Sequence, residues 1–227
     1  MSPAQIYSSP WHHPGLLLPL SLAALAFVLV LRAKHPHAWS PFLRAWLLAW
    51  AIEIVLDASL TGFATPLHGH PGAERVASIA FVILGDLRAY LLLERLASPS
   101  RAWPSTWARA LGWSLVASVA VAVATRLSPA VFPSTRHVFL FYESLSIALF
   151  ALWRFAIVPR LGPSASASLA RDVSTFFLVQ YALWASSDVL ILSGIDLAYL
   201  VRIVPNVLYY GLFVAFVAWR APRELRP

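Results

Sequence analysis

Seven apolar stretches, each about as long as a bilayer is thick, recur along this chain and leave no room for a soluble domain between them. A helix needs roughly 20 predominantly apolar residues to cross the hydrocarbon core. Runs of that kind, broken by charged, Gly and Pro residues, fall at 15–33, 42–63, 76–97, 108–127, 137–158, 172–194 and 196–219. The narrowest break is Ser193, Gly194, Ile195 and Asp196, where a tight turn is required because one unbroken helix would be far too long for a bilayer. Charged residues make up 12% of the 227, about half the share typical of soluble domains. The pattern predicts an all-α integral membrane protein, a single seven-helix transmembrane domain over 1–227.

Basic residues in short loops collect on the cytoplasmic side. Arg32, Lys34, Arg44, Arg95, Arg101, Arg109, Arg160, Arg171, Arg220, Arg223 and Arg226 fall on one side of the seven spans, whereas Arg75, Arg126 and Arg136 fall on the other. The expected topology therefore has the N-terminus outside and the C-terminus in the cytoplasm. The +7 net charge is accounted for by a basic rim meeting anionic lipid, and the scattered arginines give no groove-fitting element for nucleic acid. Two loops stand out: Thr65 to Glu74 as an outer loop, and Pro163 to Leu169 as a flexible low-complexity stretch.

Missing residue types narrow the chemistry. There is no cysteine, which removes disulfides, thiolate nucleophiles, iron–sulfur ligation and cysteine-containing zinc sites. Lys34 is the sole lysine and lies between spans, so a Schiff base inside the bundle has no amine. No cleavable signal peptide is expected. An arginine-, alanine- and proline-rich composition suggests a bacterial inner membrane, with the chain as a multi-pass protein.

The informative residues are the polar ones lipid should exclude. A charge near mid-bilayer costs about 2.5–3.5 kcal/mol on the lenient insertion scale, yet Glu53, Asp57, Asp86, Glu143 and Asp188 all fall within spans. Helical spacing puts them on polar and aromatic faces: Trp46, Trp50, Glu53, Asp57 and Thr61 on the second span, Asp86, Tyr90 and Glu94 on the third, Phe139, Glu143, Ser146 and Phe150 on the fifth. The sixth aligns Phe177, Tyr181, Trp184 and Asp188; the seventh aligns Arg202, Asn206, Tyr209 and Phe213, with Pro205 placed to kink it. Arg202 is the expected cation for the outer acids, pairing with Asp188 or Asp86, and any acid it leaves over must hold a proton or meet a cation. The first and fourth spans, which carry no internal charge, are expected at the periphery.

Aligning Asp57 with Asp188 and Asp86 with Asn206 brings Trp46 onto Phe177 and Trp50 onto Tyr181. A parallel duplication of three spans, a connector and three spans would resemble the architecture of SWEET and PQ-loop transporters. That resemblance is confined to span arrangement, since no Pro-Gln motif is present. Five histidines, His12, His13, His68, His70 and His137, fall on the expected outer side, but His-x-His in a Gly- and Pro-containing loop defines no metal geometry. No cofactor is expected and no metal set is assigned.

Together these features predict an outward-opening acidic and aromatic cavity, lined by Trp50, Glu53, Asp57, Asp86, Glu143, Tyr181, Trp184, Asp188, Arg202 and Asn206. It would bind a small cationic or amphipathic solute for transport or sensing, with Asp86 and Asp188 as contact groups. Two other classes stay open: a membrane enzyme acting on lipid with the carboxylates as acid and base or metal ligands, and a structural protein without ligand.

Overall fold

The computed structural model describes residues 1–35 and 39–224; Arg226, counted in the orientation above, lies outside the described residues. Every regular element among them is helical: α1 (Pro3–Tyr7), α2 (Leu17–Lys34), α3 (Pro41–Leu60), α4 (Pro71–Ala97), α5 (Trp103–Leu127), α6 (Thr135–Leu152), α7 (Ala165–Leu192), α8 (Ala198–Val201), α9 (Ile203–Val207) and α10 (Phe213–Glu224). Six segments are long and apolar enough to cross a membrane: α2, α4, α5, α7, Thr135–Leu161 and Ala198–Ala221. They mark a multi-pass helical membrane protein. The expected second span, α3, is a helix of 20 residues that differs from these six in charge. Arg44, Glu53 and Asp57 fall together in every membrane-length window of it.

Proline accounts for the irregularities. Lacking an N–H, it strips a partner from the carbonyl four residues earlier and clashes with it. Accordingly α8 ends at Val201, four residues before Pro205, and the chain turns at Arg202 before α9 resumes. Likewise α6 gives way to a π-helical turn, Trp153–Ile157, and a 3-10 turn, Val158–Leu161, around Pro159. The required break between the last two spans is present: α7 ends at Leu192 and Gly194 takes φ +85°, a conformation open to glycine.

Two boundaries differ from expectation. The Pro163–Leu169 stretch is not a flexible loop beyond its first two residues, because Ser164 caps α7 by accepting from the Ala167 amide at 3.1 Å, and Ala167 and Leu169 are buried. Alternating serine and alanine looked like low complexity, but alanine is the strongest helix former and serine a preferred N-cap. The Thr65–Glu74 loop is cut short at residue 70, since α4 starts on Pro71, whose preset φ suits the first helical position.

The chain forms two compact units, one of Met1–Val82 with the described residues from Ile203 onward, the other of Ile83–Arg202. In the first, α2 packs on α3 and on the π-helical turn Leu208–Leu212. Leu43, Leu47, Ala51, Ile54 and Ala58 give α3 one buried apolar stripe, and Trp46 meets the Phe213 ring edge-on at 5.9 Å. In the second, α6 packs against α7, and a ring stack runs from Tyr90 through Phe150 (4.8 Å) to Phe177 (4.7 Å). Residues Gly85 to Glu94 of α4 are buried without interruption, Arg88 included. The helices of the expected first and fourth spans, α2 and α5, have the smallest buried shares of the six candidate spans.

Candidate functional site

In the Ile83–Arg202 unit, three of the expected residues meet around one guanidinium. Arg202, held at the turn that Pro205 enforces, donates from Nη2 to Glu143 Oε1 at 3.1 Å and from Nη1 to Asp188 Oδ1 at 2.5 Å. Its Nη1 also reaches the Trp184 carbonyl at 3.4 Å, and its charge lies over the Phe139 ring. All three side chains are buried. The expectation that Arg202 alone serves the outer acids is incomplete: Arg136 Nη1 also binds Asp188 Oδ1, at 3.1 Å. Assigned by sequence to an outer loop, Arg136 instead sits in the first turn of α6, and its long side chain reaches inward while its charge stays over the Tyr199 ring. Two arginines against two acids leave this cluster electrically balanced, yet Glu143 Oε2 and Asp188 Oδ2 are buried and accept no hydrogen bond from the described residues.

Asp86 does not pair with Arg202. One carboxylate oxygen accepts from the Tyr142 hydroxyl at 2.5 Å and the other from the Tyr181 hydroxyl. Tyr142 and Glu143 are consecutive on α6, and Tyr181, Trp184 and Asp188 share one face of α7, with the Tyr181 and Trp184 rings 5.4 Å apart. The Asp86 site and the Arg202 site are therefore successive layers of the α6–α7 pair, about 10 Å apart along α7 at 1.5 Å per residue. Tyr142 was missed because it lies beside the counted stripe of Phe139, Glu143 and Ser146 rather than on it. Glu94, aligned with Asp86 and Tyr90 in the sequence, carries its own network: Arg101, Arg109 Nε (2.9 Å) and Trp113 Nε1 (2.9 Å) all donate to it.

Neither a protein-family model, nor a curated protein, nor a solved structure matches the chain.

The other expected residues belong to the unit containing α2 and α3. Trp50 and Glu53 are buried on the predicted face of α3. Asp57 accepts from Thr61 Oγ1 at 2.7 Å and from the Tyr210 hydroxyl at 3.0 Å. Asn206 Nδ2 lies 3.1 Å from His12 Nε2, and His12 Nδ1 lies 2.9 Å from the Tyr7 carbonyl. Since that carbonyl can only accept, the proton sits on Nδ1 and Nε2 accepts from the Asn206 amide. His13 packs against Tyr210 at 5.6 Å between ring centres, and its backbone carbonyl accepts from the Phe63 amide at 3.2 Å. Burial pushes both imidazoles down from the ordinary 6.5, His13 to about 4 with a further contribution from His12. Neither histidine is a solvated loop residue, a role that spacing alone does not reveal. No group of three or more metal-ligating side chains is found among the described residues.

Proposed function

We propose that this protein binds a small cationic, amphipathic solute within its membrane-spanning part, for transport or sensing. In this reading the chain crosses the inner membrane of a bacterium seven times with α3 as the second span, its N-terminus outside and its C-terminus in the cytoplasm. The observation that carries the proposal is the pair of acceptor atoms, Glu143 Oε2 and Asp188 Oδ2, that stand buried beside Arg202 without a donor among the described residues. A buried polar atom left unpaired costs about 1–3 kcal/mol, and more when charged. A solute ammonium supplies the missing donors. The rings of Phe139, Tyr181, Trp184 and Tyr199 around the cluster suit the apolar part of such a solute and attract a cation by their faces. Asp86 is the second contact group, one layer further along α7. Trp50, Glu53, Asp57 and Asn206 remain in the proposal as a solute-facing set of the other unit.

A second reading is favoured by the ion pairs themselves. Asp188 and Glu143 each already have an arginine, and such pairs can serve only to fix helices against each other. The two readings separate in a binding measurement on the purified full chain in detergent, with 2-phenylethylammonium as probe and calorimetry as readout. Solute binding predicts a saturable signal absent from empty micelles, weakened about tenfold by Asp188→Asn and by Glu143→Gln, the equivalent of about 1.4 kcal/mol. No saturable signal, or one indifferent to both substitutions, overturns the proposal in favour of the structural reading.

A further inference from the structure

We infer that the turns following α6 and the first half of α7 form a binding site for the phosphodiester of an anionic glycerophospholipid, built on Arg154 and Arg171. Arg154 lies in the π-helical turn Trp153–Ile157, about 10 Å short of the end of the Thr135–Leu161 span. A charge inside a span is costly unless something compensates it. Its Nε donates to Thr175 Oγ1 at 3.0 Å, and its charge lies 5.2 Å from the centre of the Phe155 ring. Both partners are neutral, and Nη1 and Nη2 donate to nothing among the described residues. Thr175 is itself fixed, because its hydroxyl donates to the Arg171 carbonyl at 2.8 Å. The guanidinium of Arg154 is thus anchored through one N–H, with its terminal nitrogens left for a ligand. Arg171 stands one helical turn before Thr175 on the same face of α7, so its guanidinium can reach an anion that Arg154 holds. It is exposed, and its side chain has no hydrogen bond or ion pair among the described residues. Asp172, the nearest acid in the chain, pairs with neither arginine and points about 100° round the helix from Arg171. Two guanidinium groups without an acid partner among the described residues suit a phosphate, whose oxygens accept from such forks in pairs.

The apolar surroundings distinguish a lipid from free phosphate. Phe155, whose ring lies beside the Arg154 charge, is 68% exposed, and Leu152 one turn before it is exposed as well. On α7, Arg171, Thr175 and the exposed Val179 repeat every four residues, one stripe leading from the charges into a helix long and apolar enough to span the membrane. Basic pockets between membrane helices bind anionic headgroups, and α6 and α7 pack directly against each other. Leu152, Phe155 and Val179 give an acyl chain a track and give inorganic phosphate nothing.

The test is native mass spectrometry of the full chain released from detergent, titrated with phosphatidylglycerol and with phosphatidylcholine of the same acyl chains. Retention of phosphatidylglycerol over phosphatidylcholine is expected, reduced about tenfold by Arg154→Gln or by Arg171→Gln, the loss of one charge-assisted contact. Arg171 is exposed, so its variant keeps the test decisive should Arg154→Gln fail to fold. Arg126→Gln, which removes an exposed charge shortly before α6 begins, at the helix end opposite to Arg154, should leave retention unchanged. Equal binding of the two lipids, or retention indifferent to Arg171→Gln, overturns the inference. So does an effect of Arg126→Gln as large as that of Arg171→Gln, which would make the attraction a general charge effect. Displacement of phosphatidylglycerol by millimolar inorganic phosphate would assign the site to free phosphate instead and overturn the lipid assignment.

Discussion

Replacing Arg202 by methionine tests the construction of the acidic cluster. The substitution keeps an unbranched apolar stem and removes two ion pairs, at 3.1 Å to Glu143 and 2.5 Å to Asp188. The two acids do not lose equally. Asp188 keeps Arg136 at 3.1 Å, whereas Glu143 loses the one cation with which it forms an ion pair among the described residues. Removing one member of a buried pair costs about 3–5 kcal/mol, because the other is left charged and uncompensated. The cost should therefore sit mainly on Glu143, and Arg202→Met/Glu143→Gln should recover at least half of it. Arg202→Met/Asp188→Asn should recover less. The assay is reversible unfolding of the purified protein in mixed micelles, with all three variants on one titration. A single-variant cost below about 0.5 kcal/mol, the range of a solvated surface pair, would refute the reasoning. Equal recovery by the two double variants would refute the unequal sharing.

Three further outcomes are expected. Tyr181→Phe removes a hydrogen bond to the Asp86 carboxylate and should cost about 1.5–3 kcal/mol in the same assay, and less than half of that in an Asp86→Asn background. Gly62 has φ +88°, and a Cβ there would fall 1.6 Å from His13 Nδ1; Gly62→Ala should lower stability by about 2–4 kcal/mol through strain and overlap together. His13 titrates near 6.5 when unfolded and near 4 when folded. The unfolded chain then binds more protons between those values, so its contribution is fully present above pH 6.5 and is lost as pH falls toward 4, by about 3 kcal/mol in all. Unfolding midpoints of the wild type and His13→Asn should converge across that window; parallel curves would contradict the burial argument.

Several of these features could be read in advance, and their limits have a physical cause. Apolar run length marks where helices lie because a bilayer imposes a minimum span, and the Ser193–Asp196 turn followed from the same rule. The 3.6-residue period assigned Asp86, Glu143, Tyr181, Trp184, Asp188 and Arg202 to interior faces, and each of them except the half-buried Trp184 is buried. Periodicity says which face a residue occupies but not which residue meets it from another helix. Tyr142 and Asp86 are 56 positions apart, and Asn206 and His12 are 194 apart. Arg136 was misread for another reason: a long side chain can root at a helix end and place its charge well inside. The packing of His12 and His13 was not legible for the first of these reasons, since their segment folds back onto Gly62 and Asn206, far along the chain.

The central claim is that the buried acids around Arg202 receive a positively charged solute. The most direct measurement compares 2-phenylethylammonium with propylbenzene, a neutral molecule of nearly the same shape, in binding to the wild-type protein in detergent. Recognition through the unpaired oxygens of Glu143 and Asp188 predicts that the cation binds at least about tenfold more tightly, the worth of one charge-assisted contact. Equal affinity, or preference for propylbenzene, would mean that the rings alone attract the ligand and would contradict the claim.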